Sequence, residues 1–158
     1  MIEGLELILD FISEAEEKAI LDEVPLSAPS AETFRNKIRR YGPQTAYRNN
    51  VVSKELPKTL ALLCPRLGLD YVPTSITVND YHQGQSIIPH IDDKSCGPVI
   101  SVLSLISEAT MKFTKDGISH YVKLPSRSLV HMRGEVRYKW QHSVEPLKGP
   151  RMSVVFRK

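Results

Sequence analysis

Apolar and polar residues change their rhythm about halfway along the chain. In the first half, apolar positions form short, separate groups. Leu5 to Phe11 reads as a short strand. Ser13-Glu14-Ala15-Glu16 then has the spacing of a capping box, with Ser13 as N-cap and Glu16 three residues on. The helix opened there should run to about Glu23 and stop before Pro25, which has no amide hydrogen and pushes its predecessor out of helical space. A second helix is expected to begin near Pro57, whose fixed φ suits a first helical turn. It should cover Lys58 to Arg66 and end before Gly68.

From Ser75 onward the pattern becomes one of short β-rich runs. They are Ile76 to Tyr81, Val99 to Ile106, Thr110 to Thr114, His120 to Leu124, Ser128 to Met132 and Arg151 to Phe156. Turn-forming residues separate them: Gly84, Gly97-Pro98, Asp116-Gly117, Pro125-Ser126, Gly134 and Gly149-Pro150. Many short strands with closely spaced turns predict a sandwich or jelly roll. The expected fold class is α+β, mainly β, in a single domain over residues 1–158. Residues 1–74 are expected as a mixed helix-and-strand cap and 75–158 as the β core.

Composition narrows the function classes. A chain of 158 residues can bury roughly two thirds of its unfolded surface. Hydrophobic residues at 41% and charged residues at 25% are an ordinary globular balance. The net charge of +3 is compatible with a nucleic-acid partner without requiring one. Cys64 and Cys96 are too few for a disulfide scaffold or a cysteine zinc site, and are expected as free thiols in a reducing compartment. No basic-then-apolar leader opens the chain, and no stretch approaches the ~18 apolar residues of a membrane span. The expected location is cytoplasmic, or nuclear in a eukaryote, and the expected state is a monomer without membrane attachment.

Three features carry chemistry. His90-Ile91-Asp92 places an imidazole and a carboxylate two residues apart, on one face of an extended segment, where both can reach one cation. His142, about fifty residues on, is a candidate third ligand. Two histidines and one carboxylate on one side of an ion leave positions open, as non-haem iron(II) oxygenases need. The same donors also suit zinc. In the last strand, alternation puts Arg151, Ser153, Val155 and Arg157 on one face. The two arginines lie about 20 Å apart along an extended strand, so they cannot serve one carboxylate. One can bind a dicarboxylic acid while the other orients the carboxylate beside the metal. Asn79 and Tyr81 share a face eleven to nine residues before His90 and offer donors to carboxylate oxygens.

Taken together, Asn79-x-Tyr81, His90-x-Asp92, Gly134-Glu135-x-Arg137-Tyr138-x-Trp140-x-His142 and Arg151-x5-Arg157 resemble the AlkB-like dioxygenases in order and spacing. The resemblance covers residues 75 to 157. It implies a double-stranded β-helix (jelly roll) and Fe(II)/2-oxoglutarate-dependent oxidation with O2. By this resemblance His90, Asp92 and His142 ligate iron. Arg151 grips the distal carboxylate of 2-oxoglutarate with help from Asn79 and Tyr81, and Ser153 stands where the family has an asparagine. Arg157 lies near Asp92, and Arg137 sits where family members contact substrate. The Asn49-Asn50 pair after Tyr47-Arg48, and the Tyr41-Gly42 pair, weakly resemble the lid over the substrate base. Lys94 takes the place of an acidic residue that accepts from a target base's exocyclic amine. A cation cannot do so, which argues against a copy of the bacterial DNA-repair specificity. The C-terminal motif is similar to that of tRNA-modifying homologues, whose further RNA-binding and methyltransferase domains are not expected here.

The substrate expected from this is an alkylated or modified base in RNA, tRNA or single-stranded DNA. Arg35, Lys37, Arg39, Arg40 and Arg48 interleave with Phe34, Tyr41 and Tyr47, a mix that can track phosphates and stack on an unpaired base. Two alternatives stay open: a 2-oxoglutarate dioxygenase acting on a protein side chain, and a non-catalytic cupin-like binding module.

Overall fold

The period-two strands of the second half assemble into two facing antiparallel sheets. This computed structural model describes residues 2–29, 36–43 and 54–158. The strands are β1 (Leu5–Ile8), β2 (Lys37–Tyr41), β3 (Ser75–Tyr81), β4 (Ile87–His90), β5 (Val99–Leu105), β6 (Ala109–Lys115), β7 (Ile118–Leu124), β8 (Leu129–Arg133), β9 (Gln141–Val144) and β10 (Arg151–Arg157). The larger sheet has the order β1-β8-β5-β10-β3-β2, and the smaller one β4-β9-β6-β7. This is the mainly β, jelly-roll architecture expected from the strand pattern.

Strand parity sorts the large sheet's side chains into two cores. Ile100 and Val102 of β5, Val130 and Met132 of β8 and Val155 of β10 face the small sheet, whose Met111, Phe113 and Val144 meet them. Ile76, Val78, Leu103, Leu105, Leu129, Met152, Val154 and Phe156 point the other way, into a second core closed by the helices. Those helices are α1 (Glu14–Glu23) and α2 (Lys58–Ala61). The capping box at Ser13 and Glu16 is present in both directions. A helix of ten residues is too short to persist alone in water. Burial of Ile20 in α1, with Ile12 and Val24 flanking it, holds the helix to the sheet, each such side chain contributing about 1.5–3 kcal/mol.

Two expectations change. The helix expected over Lys58 to Arg66 is broken into α2 and a 3-10 turn at Cys64–Arg66. Pro65 inside that stretch lacks the amide hydrogen an α-helix needs and collides with the carbonyl four residues earlier. The first 74 residues also do more than cap the β core. β1 pairs with β8 and β2 pairs with β3, so both are edge strands of the large sheet itself. A short helix, α3 (Gly134–Tyr138), links β8 to β9. β2, β4, β9 and α3 are not visible in the hydrophobic pattern. They are four or five residues long, and Lys-Ile-Arg-Arg-Tyr, Ile-Ile-Pro-His and Gln-His-Ser-Val carry little apolar alternation.

Candidate metal and cosubstrate site

The small sheet brings two histidines together. β4 and β9 are antiparallel neighbours, and His90 stands opposite His142 in their register. Paired residues share a face, and the two rings lie 4.3 Å apart. Asp92 follows two residues after His90. Its Oδ1 is 3.2 Å from His90 Nε2 and 3.4 Å from His142 Nε2. One donor atom from each residue falls within 4.8 Å of the others.

Neighbouring groups prepare these atoms. His90 Nδ1 is 2.9 Å from the carbonyl of Ile88. A carbonyl can only accept, so Nδ1 carries a proton and Nε2 is the ring nitrogen presented to Asp92. Arg157 donates to Asp92 Oδ2 from Nε at 3.0 Å and from Nη2 at 2.9 Å, and Oδ1 is left to face the histidines. Arg157 Nη1 also donates to Thr77 Oγ1 at 2.8 Å, which fixes the fork. Burial works to raise the pKa of Asp92, but hydrogen bonds from His142 and His90 and the charge of Arg157 outweigh it. They hold the carboxyl well below the usual carboxylate range. Burial lowers the pKa of His142 against the pull of Asp92, while the hydrogen bond to Asp92 raises that of His90. The result is one anionic oxygen and two imidazole nitrogens converging from one side, a donor set that suits a first-row divalent ion with positions left open.

A cleft runs from this cluster between the sheets, with about 420 Å³ of space when the solvent at its open mouth is included. Its walls include Ile87, Ile100, Val102, Met111, Val144 and Val155, and its inner polar groups are Asn79, Tyr81, Arg151 and Ser153. β10 lies between β3 and β5, with Arg151 opposite Tyr81 and Ser153 opposite both Asn79 and Ser104. Arg151 is fully buried. Its Nη2 donates to Ser104 Oγ at 2.8 Å, and its guanidinium lies 5.3 Å from the centre of the Tyr81 ring. Nε and Nη1 have no hydrogen-bond partner among the described residues. A buried cation with two idle donor atoms is costly unless an anion completes it. A carboxylate is the anion a guanidinium pairs with best. These residues could hold a small dicarboxylic acid with one end at Arg151 and the other toward the His90-Asp92-His142 cluster.

Asn79 shows a residue that sequence reasoning missed. Its Oδ1 accepts from Asn36 Nδ2 at 2.9 Å, which turns its own amide NH2 toward Ser153 and the cleft. Asn36 precedes β2 and has no signal in the pattern. Ser104 was likewise hidden, as one hydroxyl in an apolar strand.

Several residues stand elsewhere than the resemblance implied. Arg137 is not free for substrate. It is 3% exposed, and its guanidinium donates to backbone carbonyls of Asp92, Asp93 and Gly97. Tyr41 is not over the cleft. It stands opposite Ile76 and so shares the outer face, where it packs against the helix-side core. Arg39 shares that outer face and pairs with the buried Asp80 at 2.8 Å, so it is not a free phosphate contact. Lys94 is exposed on a 3-10 turn, Lys94–Cys96, and does not line the cleft. Phe34, Arg35, Tyr47, Arg48 and the Asn49-Asn50 pair lie outside the described residues.

Comparison with known proteins agrees with this geometry. Residues 25–157 match the model of the 2OG-Fe(II) oxygenase superfamily. The protein named tRNA (carboxymethyluridine(34)-5-O)-methyltransferase alkbh8 of Xenopus tropicalis is 35% identical over 160 residues, which cover 92% of this chain and 26% of that protein. A DNA N6-methyl adenine demethylase of Caenorhabditis elegans is 27% identical, over 99% of this chain and 60% of that one. This chain spans about a quarter of the length of the vertebrate methyltransferase relatives it matches. Among solved structures, OsALKBH1 matches with a TM-score of 0.71 at 14% identity, over 100% of this chain and 99% of that one. A Pseudomonas putida prolyl-4-hydroxylase matches with a TM-score of 0.66 at 18% identity, over 98% and 92% of the two chains. At such identities these two structures speak for the fold alone. The chain thus belongs to the 2OG-Fe(II) oxygenase superfamily of oxidoreductases, in its AlkB-like branch, with Fe(II) and 2-oxoglutarate as cofactor and cosubstrate.

Proposed function

We propose that the chain is a dioxygenase that oxidises an alkylated or modified base in RNA, tRNA or single-stranded DNA. The observation that carries the oxidative half is Arg151: a fully buried guanidinium with two unpartnered donors, in the same cleft as the His90-Asp92-His142 cluster. His90, Asp92 and His142 would hold the iron. Arg151 would bind the distal carboxylate of 2-oxoglutarate, with Asn79 and Tyr81 beside it. Bound iron with 2-oxoglutarate and O2 supplies oxidative decarboxylation to succinate and carbon dioxide, coupled to hydroxylation of a substrate C–H bond. Arg157 keeps Asp92 ionised and aimed. The apolar walls exclude water from the reacting groups, where stray solvent would compete. When the oxidised carbon is an N-methyl group, its hydroxylated form releases formaldehyde and leaves the free base.

The substrate half rests on relatives whose names specify tRNA and DNA adenine. Lys94 stands two residues after Asp92, exposed and off the cleft wall; a base that reached it would meet a donor only, which favours a carbonyl edge such as uracil O4 or guanine O6. One chain supplies both ends of the cleft, so a monomer suffices.

The test is anaerobic reconstitution with Fe(II), then 2-oxoglutarate and O2, against methylated adenine, cytosine and modified-uridine oligomers, bulk tRNA and a peptide library. Succinate and a mass change on a base are expected. His90→Ala, Asp92→Ala and His142→Ala should each abolish succinate formation, because a three-donor site has no spare ligand. Turnover on peptides alone would replace the nucleic-acid reading. No succinate with any substrate, in protein that has taken up iron, would overturn the enzymatic one.

A further inference from the structure

Asp92 is gripped twice. Arg157 holds its carboxylate, and Arg137 holds its backbone. Arg137 Nη1 donates to the carbonyl of Asp92 at 2.9 Å, Nη2 to that of Asp93 at 2.7 Å, and Nε to that of Gly97 at 3.1 Å. The Tyr138 ring centre lies 4.7 Å from the guanidinium. No carboxylate pairs with Arg137 in an ion pair among the described residues, so backbone dipoles, with the Tyr138 ring, offset the burial of this cation. A flat fork that meets three carbonyls at once is a task for arginine, not for lysine.

The loop is already closed without Arg137. Asp93 Oδ1 accepts from the amide of Ser95 at 2.9 Å, and the Cys96 amide donates to the Asp93 carbonyl at 3.0 Å. At its far end Gly97 has φ +93, and a Cβ there would lie 2.6 Å from the Cβ of Lys158. What Arg137 adds is therefore the placement of the loop. Arg137 sits in α3, and five residues later the chain delivers His142 on β9. One side chain thus ties the loop that carries Asp92 to the element that leads into His142.

We infer that Arg137 is a positioning residue that sets the Asp92-to-His142 separation, and so the metal affinity of the site. This rests on the metal-binding reading of His90, Asp92 and His142. The role differs from the substrate contact that the sequence resemblance implied for Arg137.

Cobalt(II) serves as the probe, read by its ligand-field absorption in a titration without turnover. Arg137→Gln is expected to weaken Co(II) binding by roughly ten- to a hundredfold, the usual effect of losing a group that orients a ligand. Its spectrum should also shift, while thermal unfolding stays cooperative well above the titration temperature. Arg137→Lys, which keeps the buried charge and reaches fewer carbonyls, should fall between. Arg39→Gln, which breaks the remote pair with Asp80, should lower the unfolding midpoint and leave Co(II) affinity and spectrum as in the wild type. Wild-type affinity and spectrum in Arg137→Gln would overturn the inference, as would an equal loss in Arg39→Gln. Should Arg137→Gln fail to fold, wild-type behaviour of Arg137→Lys is the overturning result. A wild-type protein that takes up no Co(II) would instead sink the metal-site reading itself.

Discussion

Three buried or half-buried arginines show how little a residue's type says about its work. Arg137 spends its donors on backbone carbonyls, Arg157 on a ligand carboxylate, and Arg151 on one hydroxyl. Only Arg151 keeps two donors idle at full burial, which marks it as the group that an external anion completes. Arg151→Lys retains charge but loses the guanidinium's spread of donors. A charge-assisted hydrogen bond contributes roughly 1.5–3 kcal/mol, so 2-oxoglutarate affinity should fall about ten- to a hundredfold. Calorimetric titration with Mn(II) in place of iron would measure it. An unchanged affinity would show that Arg151 does not hold the cosubstrate. Asn36 works at the same scale, since the cleft-facing amide of Asn79 points as it does because Asn36 occupies its oxygen.

Among the elements, β8 and β5 carry a polar pair into the helix-side layer. His131 Nδ1 lies 2.7 Å from Ser101 Oγ, and both residues are essentially inaccessible. Burial lowers the pKa of His131, with the charge of Arg133 acting in the same direction. The folded state therefore binds this proton less readily than the unfolded chain, where histidine titrates near ~6.5. The contribution is fully present above that pH and is lost as pH falls from there toward the lowered folded value. Urea midpoints should decline from pH 7.5 to 5.0, and His131→Gln should remove part of the decline. An identical slope in wild type and variant would assign the acid sensitivity elsewhere. Parity in β3 and β10 was legible in the sequence, because one face buries apolar side chains and the other bears the site. β2 was not legible: Lys37–Tyr41 earns its place as an edge strand through pairing with distant β3, Lys37 opposite Asp80 and Tyr41 opposite Ile76, and through the Arg39–Asp80 pair, not through local alternation.

For the molecule as a whole, metal binding should be a stability term, since the three donors converge only in the folded chain. At one hundred times its dissociation constant, a ligand specific for the native state adds about 2.7 kcal/mol. For a domain of this size that corresponds to a rise of roughly 5–10 °C in Tm. Saturating Mn(II) should give such a shift, chelation should reverse it, and Asp92→Ala should abolish it. An equal shift in Asp92→Ala would place the ion elsewhere. 2-Oxoglutarate added after the metal should raise Tm further in the wild type and less in Arg151→Lys.

The chain's own sequence determined the chemistry available and the strands that display it. His90-x-Asp92, His142, Arg151 and Arg157 are recognisable because ligand spacing and period-two alternation are local properties. Local order cannot say which distant atoms meet. The register of β4 on β9 put His90 opposite His142. The stacking of β10 between β3 and β5 left Arg151 half-satisfied beside Ser104. The turn of α3 sent Arg137 under the ligand loop instead of toward substrate, and parity on β2 sent Tyr41 to the outer core. Those outcomes depend on contacts between residues tens of positions apart, whose energies exist only once the sheets have closed on each other.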